Sequence, residues 1–471
     1  MDLTSKLSNI KNHLLDLAIR GKLVEQRPED GTADELYAQI QEEKKKLIAE
    51  GKIKKEKSLP EITEDEIPFE IPESWKWVRL IDIVYNHGQK EPTSEFSYIE
   101  INSIDNVHQK LSDSESILSA KEAPSRARKI VKKGDILYST VRPYLHNMCI
   151  IDKDFKKEPI ASTGFAVMSC ISGVNNKYLF SYLLSPEFDR YANDNENSKG
   201  TSYPAINDKR LYKALVPLPP LAEQKRIVAK LESYLAVIDK AEELIEKKAN
   251  IDEEIRNKIL DLAIRGKLVE QRPEDGTAEE LYNQIQEEKK KLIADGKIKK
   301  EKSLPKITEE EIPFEIPASW KWVRITEIAL NIFAGGDKPN NLTGNITETN
   351  KVPVVANGLV NEGIIGYTDS YSAEKGCITV SGRGTIGFPV IRTYNFFPIV
   401  RLIVINPSKL LFDKYLYYFL SSQKYDSTGT SIPQLTVPMI HPKIIPLPPL
   451  SEQKRIVAKI EELLPYCEKL K

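Results

Sequence analysis

The stretch that decides the fold is DLAIRGKLVEQRPEDGTADELY at residues 16–37, which opens a block running through SWKWVR at 74–79 and returns at 261–324. Over these 64 positions, displaced by 245, the two copies differ only at 34, 38, 50, 61, 65 and 73. A repeat of this fidelity sets the architecture before any secondary structure is read. A second block, VPLPPLAEQKRIVAKLE at 216–232, returns as IPLPPLSEQKRIVAKIE at 445–461, displaced by 229. The segment between blocks is therefore 16 residues longer in the first copy, roughly 80–215, than in the second, roughly 325–444. The chain reads as two half-molecules, each a constant frame around a variable insert. Carried to the termini, position 471 maps onto 242 and position 1 onto 246, so the C-terminal segment followed by the N-terminal one repeats the centre. The expectation is a circular, pseudo-twofold arrangement with neighbouring termini.

Between 221 and 265, Val228, Leu231, Leu235, Ile238, Ala241, Ile245, Ile251, Ile255, Ile259 and Leu262 recur at helical spacing with charges between them. Pro219 and Pro220 open this helix and Gly266 closes it. At about 1.5 Å per residue it is about 65 Å long, and its split copy is its expected antiparallel partner. The inserts share a plan. Each has a Gly-led strand (KKGDILYSTVRPYL at 132–145, KGCITVSGRGTIG at 375–387) and an aromatic helix (YLFSYLL at 178–184, YLYYFL at 415–420). Each ends on a turn and strand, GTSYPAI at 200–206 and GTSIPQL at 429–435. The predicted fold class is α+β, with two α+β domains separated by two long antiparallel helices. The predicted segments are 1–33 (distal helical region), 34–217 (first insert domain with its arm), 218–278 (central helix), 279–446 (second insert domain with its arm) and 447–471 (distal helix).

Charge and chemistry narrow the function. Lys and Arg total 68 against 69 Asp and Glu, which excludes a strongly basic nucleic-acid coat. The first insert holds 18 basic and 17 acidic residues, the second 10 and 8, and the frame 40 and 44. MDLTSKLSNIKNHLL at 1–15 shows no apolar core followed by a small-residue cleavage site, and no stretch approaches 18 apolar residues, so neither a secretory leader nor a membrane span is expected. Cys149, Cys170, Cys377 and Cys467 lie too far apart for a disulfide framework or a CxxC metal site, which points to a reducing cytoplasm. GRGTIG at 382–387 matches GxGxxG, but prolines and β-formers follow where a phosphate-binding helix would begin. RGKLV at 20–24 and 265–269 lacks the Ser or Thr of a Walker loop. Glu50 and Lys52 form an ExK in a Lys-rich run without a paired Pro-Asp strand, and the five histidines show no metal spacing. No Asp/Asn-Pro-Pro-aromatic motif of an adenine methyltransferase occurs. These absences favour a binding subunit over a self-contained enzyme. A coiled-coil assembly scaffold without DNA readout remains the alternative.

Pro219, Pro220, Leu221, Glu223, Gln224, Arg226, Ile227 and Val228, their copies at Pro448, Pro449, Leu450, Glu452, Gln453, Arg455, Ile456 and Val457, and the LLDLAIRGKLV helix ends resemble the specificity subunit of type I DNA restriction-modification systems. STGFAV at 162–167 and VVANG at 354–358 are similar to its target-recognition domains. The resemblance covers essentially the whole chain. It implies that each target-recognition domain reads one part of a split, asymmetric site in double-stranded DNA through the major groove, with the paired helices fixing the spacer. It also implies two methyltransferase subunits using S-adenosylmethionine and two restriction subunits using ATP and Mg, with no cofactor, metal or catalytic residue on this chain.

Side-chain chemistry nominates the readers. Arg grips guanine O6 and N7, Asn and Gln pair with adenine, and Ser, Thr and Tyr serve bases or phosphates. In the first insert these are Arg142, Tyr144, His146, Thr201, Ser202, Tyr203 and Asn207; in the second they are Asn357, Asn361, Arg383, Thr385, Thr430, Ser431 and Gln434. Trp75, Trp77, Trp320 and Trp322 lie in the repeated blocks and are expected to pack insert against frame.

Overall fold

The computed structural model describes residues 3–55, 59–193, 205–300, 304–425 and 434–468. The chain divides into two compact units, Met1–Ile245 and Glu246–Lys471. Each gathers one terminal helix, one arm, one insert and part of the central helix.

Unit 1 begins with helices α1 (Leu3–Ile19) and α2 (Ala33–Ala49). Strand β1 (Lys76–Arg79), the short helix α3 (Leu80–Ile83) and β2 (Val84–Tyr85) lead into the insert. There follow β3 (Phe96–Ile99), β4 (Ile104–Asp105), β5 (Lys110–Leu111), β6 (Ser116–Leu118), β7 (Ala127–Ile130), β8 (Ile136–Ser139), β9 (Met148–Ile150), β10 (Glu158–Ser162) and β11 (Phe165–Cys170). Helices α4 (Asn176–Leu183), α5 (Pro186–Asn193) and α6 (Asp208–Lys213) precede β12 (Leu215–Leu218) and the 44-residue α7 (Leu221–Ile264). Two four-stranded sheets, β6-β3-β10-β7 and β2-β11-β8-β9, form the insert.

Unit 2 takes up the rest of α7 and repeats the plan with α8 (Ala278–Ala294), β13 (Lys321–Arg324), α9 (Ile325–Ile328) and β14 (Ala329–Ala334). Its insert adds β15 (Val352–Val355), β16 (Ile364–Thr368), β17 (Ile378–Val380), β18 (Pro389–Ile391), β19 (Phe397–Pro398) and β20 (Ile403–Pro407). Helices α10 (Asp413–Ser422) and α11 (Val437–Ile440), β21 (Ile444–Leu447) and α12 (Leu450–Glu468) complete it. The sheets here are β14-β20-β17-β18 and β16-β15-β19.

The frame repeats down to single bonds. Strand β1 pairs antiparallel with β12 as Lys76↔Leu218 to Arg79↔Leu215, and β13 pairs with β21 as Lys321↔Leu447 to Arg324↔Ile444. The EQxR sequence then explains itself. Buried Glu223 accepts from the Trp75 indole at 2.9 Å and Gln26 at 2.6 Å; Glu452 accepts from Trp320 at 2.9 Å and Gln271 at 2.5 Å. Gln224 donates to Pro219 O and receives Asn175 N, and Gln453 does the same with Pro448 O and Phe412 N. Arg226 reaches Glu25 O and Asp30; Arg455 reaches Glu270 O and Asp275. Each motif thus ties helix start, insert and arm in one hydrogen-bonded knot, in which Arg226 Nε and Arg455 Nε alone are buried without a partner among the described residues. The helix-closing glycines belong to it too: Gly21 and Gly266 have φ +68 and +67, and a Cβ on either would collide with Pro72 or Pro317. This is the role of RGKLV.

No Gly or Pro interrupts α7. Its apolar stripe is buried at the ends, where Ile227, Val228 and Leu231 meet Leu15 and Ala18 of α1, and where Ile259, Leu260 and Ala263 join Ile456, Val457 and Ile460 of α12 in a core continuous with the second insert. Toward the middle, Ile251 and Ile255 are 53% and 44% exposed, and Val237 and Leu244 are also exposed. The spacing alone did not distinguish Ile251 and Ile255 from the buried positions, whereas exposed Val237 and Leu244 lie off the predicted stripe and Ile238 on it is buried.

Candidate nucleic-acid interface

Seven non-glycine residues among those described have left-handed backbone: Gln109, Arg142, His146, Asn361, Glu362, Val400 and Arg401. Such a conformation costs an L residue of order 1–3 kcal/mol and persists where the surroundings impose it, commonly at functional sites. All seven lie at strand ends in the inserts, three in unit 1 and four in unit 2.

In unit 1 the chain leaves β8 into residues 140–147 and returns as β9. Thr140 N donates to Gly164 O at 2.9 Å, and Ile206 N donates to Thr140 O at 3.0 Å, so the loop is clamped at its root. Arg142 at φ 51 and His146 at φ 50 bracket one helical turn, Pro143–Leu145. Tyr144 projects from it into solvent, and His146 Nε2 sits 2.7 Å from the Asp189 carboxylate of α5. Asn106 Nδ2 donates to Leu145 O at 2.9 Å, which fastens the β4–β5 hairpin tip to this loop. Within that tip Asp105 accepts from Val107 N and His108 N and lies 2.8 Å from His108 Nδ1. The His108 side chain, then these backbone donors, hold its carboxyl below the usual range.

In unit 2 the loop after β17 carries Gly382, Arg383, Gly384 and Thr385. Asn357 stitches it: Oδ1 accepts Gly382 N at 2.7 Å while Nδ2 donates to Val400 O at 2.7 Å. Leu435 N donates to Gly382 O at 2.9 Å, and Arg383 Nη2 donates to Gln434 Oε1 at 3.3 Å. Arg383 Nε is buried without a hydrogen-bond partner among the described residues. Asn361 and Thr385 are exposed. Strand β18, not a helix, follows GRGTIG, so the glycines serve a turn.

The nominated residues therefore fall into groups. Arg142, Tyr144 and His146 come together on one loop; Asn357, Arg383 and Gln434 form one bonded cluster, with Asn361 and Thr385 on adjoining turns. Asn207 is also occupied structurally, since its side chain accepts Arg210 N at 3.0 Å and caps α6. Thr201, Ser202, Tyr203, Thr430 and Ser431 lie outside the described residues. The two arginines are not counterparts. The roots Thr140 and Gly382 match through their bonds to Ile206 and Leu435, so Arg142 matches Gly384, whose φ is +70, and Arg383 matches Val141. Sequence reasoning missed Asn106, His108 and Gln109, although a polar tip between IDN and QKL is a hairpin signal. It also missed Glu362, although Asn361 and Gly363 on either side are turn residues, and Arg401, whose neighbours carry no such signal.

The comparisons with known proteins agree with one another. The family model described as "Type I restriction modification DNA specificity domain" matches residues 72–250 and 317–470, well over half of the chain. The type I restriction enzyme EcoAI specificity subunit of Escherichia coli is 28% identical over 99% of this chain and 90% of its own length. The EcoEI specificity subunit of Escherichia coli is 32% identical over 70% of this chain and 63% of its own length. A solved structure described as "Structural basis underlying complex assembly and conformational transition of the type I R-M system" aligns with TM-score 0.60 at 25% identity, over 86% of this chain and 93% of that one.

Proposed function

The chain belongs to the family of type I restriction modification DNA specificity domains, and from that premise we propose how its parts divide the work. It is the DNA sequence-specificity subunit of a type I restriction-modification system. The face around Arg142, Tyr144 and His146 reads one half of a bipartite site, and the face around Asn357, Arg383 and Gln434 reads the other. Helix α7 with α1 and α12 forms the pseudo-twofold spacer between them. Exposed Val237, Leu244, Ile251 and Ile255 offer the apolar surface on which two methyltransferase subunits dock. Those partners supply S-adenosylmethionine-dependent adenine methylation, and two restriction subunits supply ATP- and Mg-dependent cleavage; this chain supplies address, spacing and assembly in the cytoplasm. Among the described residues no helix is long and apolar enough to cross a membrane.

The observation that carries this reading is a frame whose central hydrogen bonds repeat, such as Trp75–Glu223 and Trp320–Glu452, presenting tips whose left-handed residues differ. A coiled-coil scaffold without DNA readout has no use for that divergence. The near-neutral charge fits as well: inserts at 18 against 17 and 10 against 8 leave phosphate gripping largely to partners, which limits non-specific attraction. Methylome sequencing of host cells with and without the gene tests it, the expected result being a bipartite motif that vanishes on deletion; unchanged methylation would overturn it. Arg383→Ala is expected to cost about 1–3 kcal/mol of discrimination at one base pair of one half-motif. Methylation rates on single-substituted duplexes check this, the other half-motif serving as control.

A further inference from the structure

The turn at 360–363 places Asn361 (φ 49) and Glu362 (φ 51) in consecutive left-handed conformations. Three features impose them. Ala356 N donates to Gly363 O at 2.9 Å; Gly363 sits at φ +79 where a Cβ would collide with Ala356 O; and Arg392 Nη1 donates to Glu362 O at 2.8 Å. Arg392 is 2% exposed and lies beneath the face, with Nε on Thr379 Oγ1 at 2.9 Å and Nη1 on Tyr394 OH at 3.1 Å. The Glu362 side chain, by contrast, is 60% exposed. Its carboxylate accepts from Tyr394 OH at 3.3 Å and stands 3.6 Å from Arg392 Nη1, so it is aimed yet keeps acceptor capacity toward solvent.

An aimed carboxylate on a DNA-reading face has a narrow range of uses. Phosphates repel it, and guanine N7 and O6 and thymine O4 are acceptors like itself. The major-groove donors are the amino groups of cytosine and adenine, and a carboxylate suits cytosine N4. We propose that Glu362 is a specificity-determining residue of the second face, its carboxylate accepting a hydrogen bond from the exocyclic amino group of a cytosine, with Arg392 as the positioning residue that fixes the turn. This rests on the reading of that face as one that contacts DNA bases.

The test uses the full chain assembled with its methyltransferase partner. Methylation rates are measured on duplexes carrying the native motif with each position of the second half varied through all four base pairs, for native protein, Glu362→Gln and Glu362→Ala. Glu362→Ala is expected to lose roughly ten- to hundredfold discrimination at one C·G position, and Glu362→Gln, which keeps an acceptor oxygen but adds a donor, to lose less, with every other position and the first half-motif unchanged. Two results would overturn the assignment. Higher affinity for all duplexes alike would make Glu362 a bystander that only repels phosphate. A lower melting temperature with unchanged base preference would make it solely the counter-ion of Arg392. The native complex is the control for the broader reading: absence of any sequence preference there sinks both, whereas a native preference that survives Glu362→Ala, which removes the acceptor, sinks this inference alone.

Discussion

Trp320→Ala is expected to destabilise unit 2 by about 3–5 kcal/mol, the range for truncating a buried tryptophan. The loss has two sources. The indole is buried and packs against the Gly266 turn that closes α7, so its removal opens a cavity at the meeting point of helix, arm and insert. It also donates to Glu452, which is 1% exposed and retains only Gln271 as a side-chain donor once the tryptophan is gone. Burial raises the Glu452 pKa above its ordinary 4.5, opposed first by the Trp320 bond and then by that of Gln271. A carboxyl raised in the folded state favours folding at low pH, and that contribution is lost as pH rises through its folded pKa. Deleting one of the bonds that opposes the shift raises it further. The deficit of Trp320→Ala against native protein should therefore be smallest below about pH 4.5 and grow toward neutrality. Denaturant titrations followed by circular dichroism at several pH values measure both quantities, and Trp75→Ala should act on unit 1 in the same way through Glu223. A loss under about 1 kcal/mol would show that the knot is not a principal support of the frame.

That knot also shows where the sequence was legible. The repeats, the proline-opened helix and the diverged inserts could be read directly, because they depend on spacing and composition, and α7 ends two residues short of Gly266 as expected. The purpose of Glu, Gln and Arg in EQKRIV could not be read: their partners at 25–30, 75 and 175 are distant in sequence and meet only when β1 pairs with β12. The faces were half legible. Arg142, His146 and Arg383 stand out by residue type, but the single-residue shift between TVRPY and SGRGT concealed that Arg142 takes the backbone position of a glycine in the other unit. Val400 and Arg401 carried no signal at all, and Glu362 only that of its turn-forming neighbours Asn361 and Gly363, since non-glycine left-handed residues are imposed by surroundings rather than by their own propensity.

Arg392 is the clearest such imposed support, and its removal is the other change of large expected effect. Arg392→Ala should destabilise the second insert by about 2–4 kcal/mol. The side chain fills buried space, and its loss leaves Thr379 Oγ1 and the Glu362 carbonyl without their guanidinium donor. Releasing a desolvated charge offsets part of this cost, so the balance can be separated with Arg392→Met. Methionine restores most of the volume and removes the charge; it should cost roughly half as much as alanine. The two variants should nevertheless agree on the turn. Without the bond to Glu362 O, the left-handed pair Asn361–Glu362 loses the contact that opposes its strain, and the Ala356 N to Gly363 O bond across the turn should open more often. Amide hydrogen exchange at Ala356 should rise in both variants, while Ile405, bonded in the centre of the β14-β20-β17 sheet, stays protected. If Ala356 in Arg392→Met exchanges as slowly as in the native chain, the turn is held by its own backbone, and Arg392 contributes packing rather than position.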